Sequence, residues 1–175
     1  MNFEIEDEIL ESFLFDITGI FLELNSDSIT KAKKIKNPTE LNGNFRVLLR
    51  KYYRSNNNKE IIKLIGKLSH DFSKSEIENT TKINLKDWYF VLSNVRHSIV
   101  HSLFILNLNK VNFNQSQVEI FNHYFQHRIT KGKAELDLNF ESANQQIMMI
   151  AEYGFLIFKC LCIEMKLDWK VFKYM

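Results

Sequence analysis

Hydrophobic residues recur every three or four positions along most of the chain, which is the spacing of amphipathic α-helices. The first such stretch, residues 9–24, follows an acidic start that suits the positive end of a helix dipole. The last stretch is apolar almost all round, so we expect it to lie at the centre of a bundle. The same spacing predicts further helices over residues 45–52, 59–72, 85–108, 115–126 and 142–166.

The segments between these stretches are polar. Residues 25–43 contain the only proline and predict a loop with a short helical piece. After a turn at residues 131–133, Leu136, Leu138 and Phe140 alternate with polar residues, which fits a short extended hairpin near residues 128–140. Since no repeat or linker interrupts the pattern, we predict one all-α helical bundle over residues 1–175.

Composition agrees with a folded, helical protein. Hydrophobic residues make up 45% and charged residues 25%, and one proline with five glycines is few for an all-β chain of 175 residues. The formal net charge of +2 neither demands nor excludes a nucleic-acid partner. Cys160 and Cys162 lie two apart in an apolar run and are interpreted as buried thiols of a reducing compartment.

A cytoplasmic protein with no membrane contact is therefore expected. The acidic first residues lack the basic start of a signal peptide. The most apolar run, residues 147–163, includes Glu152 and Lys159 and is interpreted as too short and too charged to span a bilayer.

One polar motif interrupts the apolar helix predicted over residues 85–108, for which Asn84 is available as an N-cap. Arg96 and His101 enclose four residues, and the first of these, His97, is also polar. Polar residues such as these within a predicted apolar helix call for a functional or a structural explanation.

An arginine, a polar residue, three further residues and a histidine, set in the apolar helix of a small bundle, resemble the HEPN superfamily. The resemblance implies a metal-independent endoribonuclease without a cofactor, in a toxin or phage-defence role. It also implies a homodimer with a composite cleft, and an antitoxin or regulatory protein as a further partner. Leu103 stands where one subgroup has a tyrosine that a nucleotidyltransferase modifies, so that subgroup is a poor match.

The chemistry of RNA cleavage suits these residue types. RNA carries its own nucleophile, the 2′-hydroxyl, so cleavage needs a proton carrier and a cation for the charge on the phosphoryl oxygens. Imidazole changes protonation near neutral pH, and the guanidinium fork binds phosphate without a metal. We assign His101 as general base or acid and Arg96 as phosphate clamp, with His97 and Asn94 in support; the expected product is a 2′,3′-cyclic phosphate.

Helix geometry raises a difficulty for this assignment. Five positions at 100° each place Arg96 and His101 about 140° apart on a straight helix. The arginine stem could reach round, the helix could be distorted, or a second subunit could supply the other half of the site. The dimers of the family that the motif resembles favour the last.

Other interpretations of the polar residues stay open. The motif could belong to a non-catalytic module that binds RNA or a protein, with Arg96 paired to an acidic residue. Two histidine pairs spaced i, i+4, His97 with His101 and His123 with His127, could build a four-histidine metal site, which is the weaker hypothesis. A basic run could guide RNA, although a solvated surface is favoured; it comprises residues 31–36 with Arg46, Arg50, Lys51 and Arg54.

Overall fold

A computed structural model of the chain describes residues 3–55, 58–137 and 139–170, and these are mostly helical. The helices are α1 (Phe3–Leu24), α2 (Phe45–Tyr53), α3 (Lys59–Leu68), α4 (His70–Ser75), α5 (Leu85–His101), α6 (Leu108–Val111), α7 (Gln115–Tyr124) and α8 (Phe140–Glu164). Short 3-10 turns lie at Ser26–Lys31 and Glu40–Gly43, inside the predicted loop. The strands β1 (Ile105–Asn107), β2 (His127–Thr130) and β3 (Lys133–Leu136) form a small sheet.

The helical prediction is confirmed at this coarse level, with a sheet added to it. Contacts divide the chain into two compact units. Residues 76–151 form the larger part of the first, which we call the motif unit because it contains Arg96 and His101. Residues 7–75 and 152–170 belong to the second unit. The prediction of a single domain stays a prediction, and each unit is described by itself.

Helix α5 begins as the sequence indicates. The side chain of Asn84 accepts a hydrogen bond of 3.1 Å from the Asp87 N–H, so the predicted N-cap is confirmed. The helix then buries the apolar positions that the 3.6-residue period selects, and these are Leu85, Trp88, Val91, Leu92 and Val95.

A buried side-chain network connects α5, α7 and α8 within the motif unit. The indole N–H of Trp88 donates to Gln146 Oε1 at 3.0 Å, and Gln146 Nε2 donates to the Tyr124 carbonyl at 3.1 Å. Trp88 is fully buried and Gln146 almost so. A buried polar group without a hydrogen-bond partner costs free energy of folding. Gln146 supplies partners to the Trp88 N–H and the Tyr124 carbonyl and so avoids this cost.

Aromatic contacts pack α7 against the same helix. The rings of Phe90 on α5 and Phe113 meet edge-on with centroids 6.3 Å apart, and Phe113 lies 5.7 Å from Phe121 on α7. Such tilted arrangements suit the ring quadrupoles. At the start of α7, Asn114 and Gln117 form a reciprocal capping box. The position of α5 is therefore set by apolar and polar contacts together.

The predicted hairpin near residues 128–140 is confirmed as β2 and β3, although Leu138 lies outside the described residues. The two strands pair antiparallel through a two-residue turn, in which Lys131 and Gly132 have φ values of 49° and 76°. Both positive values match the primed turns that suit the twist of a hairpin.

Two predicted helices are shorter than expected. The helix over residues 59–72 breaks at Ser69, whose extended backbone separates α3 from α4 and whose hydroxyl accepts from the Phe72 N–H at 3.2 Å. The helix over residues 85–108 ends at His101, and residues 105–107 form β1 instead. Strand β1 pairs with β3, so a partner distant in the sequence overrides the local helical period.

The second unit packs its own core. Gly19 on α1 faces α2 so closely that a Cβ atom there would lie 2.6 Å from Cγ of Arg46, so the approach needs glycine. The rings of Phe72 and Tyr153 pack with centroids 6.0 Å apart. Cys160 and Cys162 are buried free thiols, as predicted, and burial raises the pKa of both.

Helix α8 differs from its prediction. Several of its large apolar side chains are exposed, which differs from the expectation that this helix lies at the centre of a bundle; they include Phe140, Met148, Phe155 and Ile163. By length and composition alone α8 could cross a membrane, so the interpretation of this run as too short and too charged fails on that criterion. The core helices of soluble proteins meet the same criterion.

We predict that Gln146→Leu destabilises the protein by about 2 kcal/mol, because it removes the acceptor of the Trp88 indole and the donor to the Tyr124 carbonyl. Denaturant unfolding measures this difference. Gln145→Leu, at the exposed neighbouring position, is the matched control and should change the stability by less than about 0.5 kcal/mol. Equal effects of the two substitutions would contradict the network.

Candidate functional site

The motif lies on an unbroken α-helix. Helix α5 covers all six residues from Arg96 to His101, and its last turn is closed by a 3.0 Å hydrogen bond from the Ser102 N–H to the Ser98 carbonyl. The structure therefore does not contain the local distortion that would turn the arginine and the histidine toward each other.

The two motif histidines are brought together at the end of α5. His97 and His101 are both exposed, and their ring centroids lie 4.7 Å apart with 52° between the ring planes. This proximity follows from the i, i+4 spacing, since residues four apart lie on one helix face. The site therefore offers two solvent-accessible imidazoles side by side.

Arg96 is not brought to the same face. Its side chain is half-buried and its Nε atom is inaccessible to solvent, whereas His101 is exposed. On the regular helix the two residues are separated by about 140° and by a rise of about 7.5 Å. One α5 helix therefore presents the arginine and the histidine in different directions, as the geometry of the sequence predicts.

The side chain of Asn94 is hydrogen-bonded to the backbone of its own helix. Its Nδ2 donates to the Phe90 carbonyl at 2.8 Å, and Ser98 Oγ donates to the Asn94 carbonyl at 3.0 Å. Ser98 is buried and Asn94 half-buried, so the polar stripe of the motif is exposed only at its two histidines. A supporting role of Asn94 would use its Oδ1 atom or the second hydrogen of Nδ2.

The turn after α5 exposes apolar side chains next to the histidines. Leu103 and Phe104 have φ values of 49° and 66°, and bulky residues seldom adopt this left-handed conformation. The Leu136 N–H donates to the Phe104 carbonyl at 2.9 Å, which holds the turn against β3. We call the exposed residues here the apolar rim; they are Val100, Leu103, Phe104 and Ile105, with Leu103 85% exposed.

Sequence reasoning missed the apolar rim. Leu103 follows the helical period of α5, so the predicted helix over residues 85–108 includes it. The only available signal was the Asn-rich stretch that begins at Asn107, and it lies after the real end of the helix.

The second histidine pair does not form. Helix α7 ends at Tyr124, so His123 and His127 do not share a helix face. His127 begins β2, packs its ring on Phe121 with centroids 4.3 Å apart, and directs Nδ1 at the Phe125 carbonyl at 2.7 Å. No group of three or more metal-ligating side chains occurs within residues 3–55, 58–137 and 139–170, so the four-histidine hypothesis is wrong.

Two open cavities of the motif unit lie outside the motif. One of about 500 Å³ is lined by α7 residues and the turn before α5, and His123 is part of its wall. The other, of about 450 Å³, lies against the hairpin and includes His127 and Arg128. Neither has Arg96, His97 or His101 in its lining, so the candidate chemistry is on a surface and not in these cavities.

Comparisons of the chain with protein-family models, with curated proteins and with solved structures find no match.

Several cations of the basic run are paired within the second unit. Lys34 Nζ lies 2.7 Å from Glu60, Lys51 pairs with Glu40, and Arg54 Nε lies 3.2 Å from Glu11. Arg50 lies 3.6 Å from Asp16. Paired charges attract phosphate less than free ones do, which favours the structural interpretation of this surface.

Hydrogen bonds from Lys34 and Lys63 lower the pKa of Glu60 from 4.5 to about 2. A lowered carboxyl pKa stabilises the fold above pH 4.5, and this contribution is lost as the pH falls toward 2. We predict that Glu60→Gln lowers the stability at neutral pH by about 0.5 kcal/mol, the size typical of partly exposed ion pairs.

The difference between Glu60→Gln and wild type should shrink as the pH falls from 4.5 toward 2. Thermal unfolding over this pH range measures it. Glu23→Gln, at an exposed position of α1, is the control and should show no such trend. A difference that is constant with pH would contradict the ion-pair assignment.

Proposed function

We propose that this protein is a metal-independent endoribonuclease of the HEPN type that works as a homodimer in the cytoplasm. The observation that carries the proposal is the pair of exposed imidazoles at the end of the helix that also holds Arg96. Accessible imidazoles can reach a phosphodiester, and a guanidinium on the same helix supplies the cation that such cleavage needs.

The proposed reaction needs only the substrate and these side chains. An imidazole, assigned to His101, accepts the proton of the 2′-hydroxyl while the 2′-oxygen bonds to phosphorus. The bond from phosphorus to the 5′-oxygen breaks, and a protonated imidazole returns a proton to that oxygen. The products are a 2′,3′-cyclic phosphate and a 5′-hydroxyl, and His97 supports the proton transfer as the neighbouring imidazole.

Arg96 is assigned as the phosphate clamp of a composite site. Within one chain it diverges from His101 by about 140°, so a second copy would supply the other half of the cleft. The guanidinium binds two phosphoryl oxygens through its planar fork, which stabilises the charge that develops during transfer.

The apolar rim supports a homodimer. Its residues surround the end of α5 and expose large apolar side chains beside the histidines. Exposed apolar surface of this kind marks interaction sites. The left-handed backbone of Leu103 and Phe104 is strained, and strained conformations persist where the surrounding structure or the function requires them. Pairing of two rims would bring the histidines of both copies to one cleft.

The proposed biological setting has two parts, a role and a location. A toxin or phage-defence role, with an antitoxin or regulatory protein as partner, rests on the resemblance of the motif alone. A soluble, cytoplasmic location is supported by the buried free thiols of Cys160 and Cys162, which suit a reducing compartment.

One observation favours a second candidate, a non-catalytic HEPN-like module that binds RNA or a protein. Arg96 is half-buried with its Nε inaccessible to solvent, as expected of an arginine that stabilises the fold. Such a module would bind RNA or a partner without cutting it.

Wild-type protein should cut a mixed RNA pool in EDTA and leave 2′,3′-cyclic phosphates. His101→Ala and Arg96→Ala should each lower the rate by at least about 10² because each removes a proton carrier or a charge clamp. The cleavage rate and the end-group chemistry are measured on RNA, with circular dichroism confirming that the variants are folded.

His123→Ala is the matched control for this experiment, since it removes an exposed histidine of α7 outside the motif. Its rate should equal that of wild type. Binding of RNA without cleavage by wild type would favour the non-catalytic module, and full activity of His101→Ala would reject the assigned base.

We further predict that Leu103→Asp weakens self-association and lowers cleavage together, because a charge in an apolar interface loses its hydration. Sedimentation measures the association. Ile77→Asp, which places the same charge at another exposed apolar residue of the motif unit, should change neither property. A dimer that is unaffected by Leu103→Asp would show that the rim is not its interface.

A further inference from the structure

The two motif histidines have the geometry of a chelate. Their ring centroids are 4.7 Å apart, one helical turn separates their backbones, and both rings are exposed. Two imidazole nitrogens bound to one zinc ion at about 2.0–2.1 Å lie about 3 Å apart. Rings already this close can reach that spacing by rotating their side chains, without any change in the helix.

The surroundings also suit a cation. His101 is the last residue of α5, where the helix dipole and its final carbonyl groups favour positive charge. The hydrogen bond from the Ser102 N–H to the Ser98 carbonyl keeps the last turn helical, so the backbones of the two histidines are held at a fixed separation. A preformed pair of ligands loses less entropy when an ion binds.

Imidazole selects a particular class of ion. Neutral histidine offers a nitrogen lone pair that suits zinc, copper and nickel, whereas calcium and magnesium prefer oxygen ligands. No third histidine, cysteine or carboxylate completes a cluster with these two among the residues that the structure describes. Water would fill the remaining positions of a bound ion, as in open metal sites.

We propose that His97 and His101 form a two-residue site that binds one divalent transition-metal ion and thereby switches the protein off. The metal site stands on the geometry alone; the inhibition rests on the proposed ribonuclease function. A nitrogen that coordinates a metal has no lone pair left to accept a proton, so His101 could no longer act as the base. Zinc is the natural probe because it brings no redox chemistry.

Calorimetric titration of untagged, EDTA-dialysed protein with Zn²⁺ and with Cu²⁺ tests the site. Wild type should bind one ion per chain, and Cu²⁺ more tightly than Zn²⁺. His97→Gln and His101→Gln should each weaken binding by about a hundredfold, because the second bond of a chelate forms at high effective concentration. Zn²⁺ should raise the unfolding temperature of wild type and not that of the double variant.

His123→Gln is the control, because it removes another exposed histidine and leaves the chelate intact. It should bind Zn²⁺ as wild type does. Equal affinity of wild type and the His97→Gln, His101→Gln double variant would overturn the proposal, and so would the absence of binding to wild type. Glutamine at these exposed positions leaves the core unchanged, and circular dichroism checks that the variants are folded.

Cleavage by wild type, measured in EDTA and then with excess Zn²⁺, tests the inhibition. Loss of cleavage with Zn²⁺ and its return with EDTA are expected, also in His123→Gln. Unchanged cleavage by zinc-loaded wild type would overturn the inhibition. If wild type does not cut in EDTA, the ribonuclease proposal and the inhibition that rests on it both fail, while calorimetry still decides the metal site.

Discussion

The buried indole of Trp88 is the constraint on which the motif unit depends. Its buried N–H needs an acceptor, and Gln146 provides it while donating to the Tyr124 carbonyl. One glutamine thus connects three helices in the interior. The direction of α5, and with it the placement of every motif residue, follows from this connection together with the apolar face that begins at Leu85.

The end of α5 is decided by a second requirement, the pairing of β1 with β3. Because residues 105–107 are held by the sheet, the chain has to turn sharply after His101, and Leu103 and Phe104 adopt left-handed conformations to do so. The turn leaves the two histidines at an open helix end and exposes apolar side chains around them. A longer helix would have covered this surface with its own next turn.

Arg96 and His101 lie about 140° apart around helix α5, and both proposals, the dimeric ribonuclease site and the metal site, follow from this separation. A catalytic site built from one α5 helix would be incomplete, and in the proposed homodimer the exposed apolar rim beside the histidines would bring in the second copy. The same divergence leaves His97 and His101 as a separate pair that can hold an ion without the arginine. Catalysis and metal binding would therefore compete for the same imidazole nitrogens.

The sequence by itself determined the structural features that depend on residues within about four positions of one another. The helical period and the Asn84 cap placed α5, the Lys131–Gly132 turn indicated the hairpin, and the i, i+4 spacing placed His97 beside His101. Only the tertiary structure decided where α5 ends, that His127 lies on a strand, and which apolar residues stay exposed. The end of α5 depends on β1 pairing with β3, which is about thirty residues away, and no local pattern encodes such a contact.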